Sequence, residues 1–131
     1  DAAMLKENHL AWGGGINQAV AAVRNSAPWP ARVIVEAETA AEANAAVQAG
    51  ADAVLLDEFK LDELQQLVPQ LRALAAARGV PIWLEASGVN PNHLQAYANT
   101  GIDLISTSAA ITRSPWLDIS MRFSANAANC P

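Results

Sequence analysis

Three carboxylates and a lysine stand at or just past the ends of short apolar runs, and their spacing invites a chemical reading. Lys6 follows Ala2 to Leu5, Glu36 ends the run beginning Val33 to Val35, Asp57 follows Ala53 to Leu56, and Glu85 follows Pro81 to Leu84. Acidic side chains are costly to bury unless they are paired, metal-bound or hydrogen-bonded, so their recurrence at matching positions points to a shared mouth. Glu36 and Asp57 facing one cavity suit magnesium, which takes oxygen ligands and keeps waters and substrate phosphates. They suit equally the stabilisation of positive charge developing at a sugar carbon. Lys6 can neutralise an anion or pair with Glu36. His9 can contact a phosphate, act as an acid or serve as a structural hydrogen-bonding group, and His93 reads as a surface residue.

Two turns add to this set. Ser87-Gly88 offers backbone N–H groups and a hydroxyl after the fourth apolar run, a common way to hold phosphate. Ser106-Thr107-Ser108 offers the same after the fifth, Ile102 to Ile105. Together they point to a phosphorylated ligand.

Something must position these groups, and the intervening stretches have helical composition. Ile16, Ala19, Val20 and Val23 recur at the spacing of one helix face, giving a helix over Ile16 to Asn25 that Pro28-Trp29-Pro30 ends. The Trp12-Gly13-Gly14-Gly15 stretch is a loop, either a close backbone approach to a ligand or a plain lead-in to that helix. Thr39 and Glu42 form a capping box ahead of a helix from Ala40 to Ala49, closed by Gly50, and Glu38 beside Thr39 belongs to that cap. Leu61 to Arg78 is the longest helical stretch. Pro69 inside it predicts a kink or two shorter helices. Asn90-Pro91-Asn92 opens another helix to about Thr100. Ser106 to Ser114 reads as a polar loop, Leu117 to Phe123 as a final strand or edge segment, and residues 124–131 as a disordered tail.

Alternating strands and helices predict an α/β fold with parallel βα units, whose polar strand ends share one rim. With 131 residues the chain is one domain. A complete eight-fold barrel needs about 250 residues, so the expectation is a partial, TIM-like (β/α) barrel of about five to six units occupying residues 1–123. The chain opens on Asp1 directly before a strand-like run, as though continuing from an upstream segment. A hydrophobic fraction of 52% is ample for a core. The formal net charge is −5, from 8 Lys+Arg against 13 Asp+Glu, with no basic run, which argues against nucleic acid as a partner. No apolar stretch approaches the ~20 residues of a membrane span. The single cysteine, Cys130, fits a reducing, cytoplasmic setting.

The same residues resemble the quinolinate phosphoribosyltransferase family. The resemblance rests on Met4-Leu5-Lys6-Glu7-Asn8-His9, Val35-Glu36-Ala37-Glu38-Thr39, Ala49-Gly50-Ala51-Asp52 and Leu55-Leu56-Asp57. It continues through Glu85-Ala86-Ser87-Gly88, Tyr97 to Ser106, and Leu117-Asp118-Ile119-Ser120-Met121-Arg122-Phe123. It implies transfer of phosphoribose from phosphoribosyl pyrophosphate to quinolinate, giving nicotinate mononucleotide, pyrophosphate and carbon dioxide, a step of NAD biosynthesis that uses magnesium. It also implies an upstream N-terminal α/β domain and an assembly of at least a dimer. By this resemblance Lys6 touches the anionic substrates, while Glu36 and Asp57 serve the metal and the ribosyl centre. His9, Glu85, Ser106 and Arg113 join the substrate-binding rim, and Ser87-Gly88 with the loop at Ser108 hold the 5′-phosphate.

Three positions depart from the family pattern: Glu58 where Asn is usual, Ser108 where Gly is common, and Arg113 where His or Lys often stands. A related branch, the phosphoribosyltransferase-like protein associated with molybdenum transport, shares the scaffold and resembles the Thr107-Ser108 loop. A stand-alone half-barrel that binds phosphate or drives oligomerisation is the reading from another class.

Overall fold

A computed structural model describes residues 2–122; the tail expected over residues 124–131 lies outside them. Five strands, β1 (Ala2–Leu5), β2 (Arg32–Ala37), β3 (Ala53–Asp57), β4 (Trp83–Ser87) and β5 (Leu104–Ile105), form one sheet. All neighbours are parallel and lie in chain order. Consecutive parallel strands joined by right-handed crossovers put their helices on one face, as in part of a β/α barrel.

Burial along the strands follows from this. Val33, Val35 and Ala37 of β2, Val54 and Leu56 of β3, and Leu84 and Ala86 of β4 are almost wholly buried toward the helices. They meet Val20 of α2 (Ile16–Ser26), Ala43, Ala46 and Val47 of α3 (Ala40–Ala49), and Leu64, Leu67, Val68 and Leu71 of α4 (Leu61–Ala77) in one core. The alternate residues face the other way. Register sets them in rows across the sheet: Met4, Ile34, Ala53 and Trp83 in one, and Glu36, Leu55, Glu85 and Leu104 in the next. Asp57 opposite Ser87 stands nearer the strand ends. The second face therefore carries both the carboxylates and exposed apolar groups such as Met4, Trp83 and Leu104.

The opposite end of the sheet is fastened twice by one device. Asp52, just before β3, accepts a hydrogen bond from the Val33 N–H at 2.7 Å and pairs with Arg24 at 2.6 Å. Asp103, just before β5, accepts one from the Leu84 N–H at 2.7 Å and pairs with Arg72 at 2.7 Å. Each Asp follows Gly-x, in Gly50-Ala51-Asp52 and Gly101-Ile102-Asp103. Each carboxylate thus satisfies the N–H of the second residue of the preceding strand.

The Thr39–Glu42 capping box and the left-handed Gly50 stop are as expected. Elsewhere the structure differs. The polar run after β1 is itself a helix, α1 (Glu7–Trp12), one apolar side of which is anchored by the buried Leu10. The glycine loop connects α1 to α2. A Cβ on Gly13 would come within 2.7 Å of the Ala19 Cβ, so the two helices meet there without room for a side chain. Pro69 sits inside an uninterrupted α4. Pro69 and Gln65, whose carbonyl it leaves unpaired, both face solvent, so water satisfies that group while Leu64, Leu67, Val68 and Leu71 hold the helix to the sheet. β4 begins at Trp83 rather than Pro81, because Ala53 pairs first with Trp83 and Pro81 has no N–H to contribute. The polar loop after β5 contains a short helix, α6 (Ala109–Thr112). Residues 117–122 form no strand: Leu117, Ile119 and Met121 alternate as a strand would, yet all are exposed, with no neighbouring strand among the described residues.

Candidate active site

β1 ends at Leu5, and Lys6 becomes the N-cap of α1. Its side chain reaches across to β2, where its Nζ lies 2.7 Å from Glu36 Oε2. The carboxylate is about nine-tenths buried and the lysine half-exposed, with side-chain exposures of 10% and 49%. Apart from that ammonium, Oε2 has no partner, although it is sealed from solvent. Contact with Glu36, first through the hydrogen-bonding ammonium and then through charge, raises the Lys6 pKa above the ordinary lysine value. Glu7 and then Asp57 add smaller pushes in the same direction, and Asp57 lies two residues beyond Leu55, the register partner of Glu36, on the same face.

Lys6, Glu36 and Asp57 thus form one electrostatic group on the uncovered face. Glu85 shares that face but lies two strands from Glu36, with the side chain of Leu55 between them in the row. Strand spacing puts the two carboxylates about 10 Å apart along the row, too far to share one ligand atom. Ser87 is next to Asp57 in register, and Gly88 turns the chain with φ +74. Ser106 donates its N–H to the Ala86 carbonyl at 2.9 Å and so extends the β4–β5 pairing.

The outer candidates have other duties. His9 lies on α1, and its Nδ1 accepts the Lys6 N–H at 3.1 Å, closing the first turn of that helix. Ser108 caps α6, its carbonyl accepting from Ile111 and Thr112, and Arg113 closes the same short helix. Both are exposed. His93 is on the surface.

Among the described residues no three His, Cys, Asp or Glu side chains gather into a metal cage. The donor set is instead two carboxylates on one face, one with a sealed oxygen engaged solely by an ammonium. That set fits an ion held by one or two carboxylates together with substrate phosphates. A cavity of about 420 Å³ lies elsewhere: between α3 and α4, lined by Glu38, Thr39, Glu58, Phe59 and Glu63. Its carboxylates partly serve helix capping, as Glu63 does for the Lys60 N–H, so volume is a poorer guide here than the Lys6–Glu36 contact.

Sequence reasoning singled out Glu58 as a departure from the family pattern but gave it no place in the site. It has φ +55, the sole left-handed non-glycine residue among those described, and it lies against Gly88. Its sequence signals were that departure and a carboxylate directly after Asp57, where a strand must turn into a helix.

The parallel βα architecture, with an ion pair at its strand ends, places the chain in the β/α-barrel class of folds. A sequence model of the quinolinate phosphoribosyl transferase C-terminal domain matches residues 1–122, and the chain belongs to that family. A probable nicotinate-nucleotide pyrophosphorylase [carboxylating] of Synechocystis is 39% identical over 127 residues, 96% of this chain and 42% of the relative. The human nicotinate-nucleotide pyrophosphorylase [carboxylating] is 38% identical over 120 residues, 91% of this chain and 39% of its own. Among solved structures, the nicotinate-nucleotide pyrophosphorylase of Francisella tularensis superposes with TM-score 0.68 at 36% identity, covering 87% of this chain and 38% of that one. NadC from Streptococcus pyogenes gives 0.67 at 34%, covering 94% and 41%. The chain therefore spans roughly two-fifths of the length of these relatives. No helix among the described residues is long and apolar enough to cross a membrane.

Proposed function

We propose that this chain supplies the later strands of the barrel in an enzyme that transfers phosphoribose from phosphoribosyl pyrophosphate to quinolinate. The observation that carries the reading is the Lys6–Glu36 pair on the same sheet face as Asp57, within a family match over residues 1–122. In the reaction the pyridine nitrogen forms a bond to the ribose C1 as the bond from C1 to pyrophosphate breaks, the electron pair leaving with pyrophosphate. The carboxylate next to the ring nitrogen then leaves as carbon dioxide, and a proton takes its place.

Glu36 and Asp57 oppose the positive charge that develops on the ribose carbon. Fixed charges in a partly desolvated site act there without reorganising. Lys6 holds an anionic group of either substrate, and its existing pairing with Glu36 keeps it charged and oriented until the ligand arrives. The Ser87-Gly88 turn receives the 5′-phosphate through backbone N–H groups. Magnesium belongs to this reading: bound with the substrate phosphates it would offset the charge gathering on the departing pyrophosphate, with Glu36 and Asp57 as the residues placed to hold it. Two polyanionic substrates need more cations than Lys6, His9 and Arg113 provide, and we assign the remainder to an upstream segment or a neighbouring subunit.

The test is reconstitution. The chain is combined with the upstream part of the Synechocystis relative, and quinolinate and phosphoribosyl pyrophosphate are supplied with magnesium. Formation of nicotinate mononucleotide and carbon dioxide supports the reading. A folded, associated complex that forms neither product contradicts it.

A further inference from the structure

We propose that Glu58 determines which end of a doubly phosphorylated ribose the Ser87–Gly88 turn accepts, favouring the monoester end over the diphosphate end. The inference rests on the phosphate role given to that turn above, and it adds a residue that sets the direction of binding.

The backbone places Glu58 where it can act. Glutamate gains nothing from the left-handed region, unlike the short Asn and Asp side chains that bond locally there, so φ +55 is an unfavourable conformation for it. That conformation lays the side chain on the phosphate turn. A Cβ built on Gly88 would sit 3.5 Å from Glu58 Cγ, 3.8 Å from its Cα and 3.9 Å from its N. The carboxyl carbon is one bond beyond Cγ. Among the described residues Glu58 enters no ion pair, and the ammonium of Lys6 is committed to Glu36. An uncompensated negative charge therefore borders the N–H groups that would receive a phosphate.

Such a charge discriminates by ligand charge. A phosphate monoester carries two negative charges above its second ionisation, and a diphosphate carries one more. Each unit of ligand charge about 6 Å from a carboxylate in a water-like dielectric weakens binding roughly threefold. The diphosphate end is disfavoured by that extra factor, and the substrate enters with its monoester end toward Gly88.

The chain, labelled with ¹⁵N, is titrated at low ionic strength and about pH 8 with ribose 5-phosphate and, separately, with inorganic pyrophosphate. The Gly88 amide shift reads binding, into the millimolar range. Glu58→Gln removes the charge and nearly keeps the shape. It is expected to tighten both ligands, with pyrophosphate gaining about threefold more than ribose 5-phosphate. Glu58→Asn, which also suits the left-handed backbone, should shift the ratio equally. Equal tightening of both ligands, or none, overturns the proposal while leaving the turn an anion site. A shift with Asn and none with Gln assigns the effect to the backbone and overturns it as well. Absence of binding by every variant removes the phosphate role of the turn, and this inference with it.

Discussion

Asp103 offers a prediction whose size follows from the contacts it makes. Its Oδ2 accepts the Leu84 N–H at 2.7 Å and pairs with Arg72 Nη2 at the same distance. Asp103→Ala leaves the N–H of the fully buried Leu84 without a partner. An unsatisfied, partly buried N–H costs about 1–3 kcal/mol. The lost ion pair adds little, about 0–1 kcal/mol, because Arg72 is a third exposed and still donates to the Ile82 and Gly101 carbonyls. The expected loss is about 1–4 kcal/mol. Asp103→Asn keeps an oxygen for the Leu84 N–H and should cost about 1 kcal/mol or less. Urea denaturation gives these values from the midpoint at unchanged slope, and amide exchange at Leu84 should quicken in the Ala variant alone. If Ala and Asn cost the same, or if Ala costs under about 0.5 kcal/mol, the strand clamp is not what the geometry indicates.

Three further outcomes follow. The chain alone should turn over no quinolinate, because its rim lacks the cations for two polyanions, and its open sheet edges should make it self-associate in sedimentation; full activity from a monomer would contradict the charge argument. Since folding raises the Lys6 pKa, the stabilisation from its pairing with Glu36 is complete below the unfolded value of about 10.4 and fades as pH rises through the higher folded value. Wild type should therefore lose stability above that range relative to Lys6→Met, and parallel curves for the two would refute the pairing. Glu58→Asn should raise the melting temperature by a few degrees, since a left-handed non-glycine residue costs about 1–2 kcal/mol and asparagine bears it best; an unchanged or lower value would contradict the assigned backbone.

Much of the fold was legible because periodicity and caps agree with burial. Val33, Val35, Ala53 to Leu56 and the Thr39–Glu42 box each give one consistent local signal, and the structure keeps them. The misreadings share a physical origin. α1 is short and largely polar, so only Leu10 and the Lys6–His9 cap betray it. Pro69 carries a helix-breaking signal that tertiary packing and a solvated carbonyl override. Residues 117–122 have a strand's alternation but no neighbour among the described residues to pair with. At the site, strand ends revealed Lys6, Glu36 and Asp57, since βα units place such positions on one rim. The separation of Glu85 by Leu55 depends on register, and the position of Glu58 on a single backbone angle. Neither is written in residue type alone.

The central claim is that the carboxylates facing Lys6 carry the chemistry, and Asp57→Asn in the reconstituted enzyme tests it most directly. The substitution keeps size and removes charge from a half-buried side chain at the end of β3. Losing one such electrostatic contact costs about 2.7–4 kcal/mol of barrier, so turnover should fall about 10²–10³-fold while the denaturation midpoint stays put. Normal turnover in a normally folded Asp57→Asn enzyme would contradict the account.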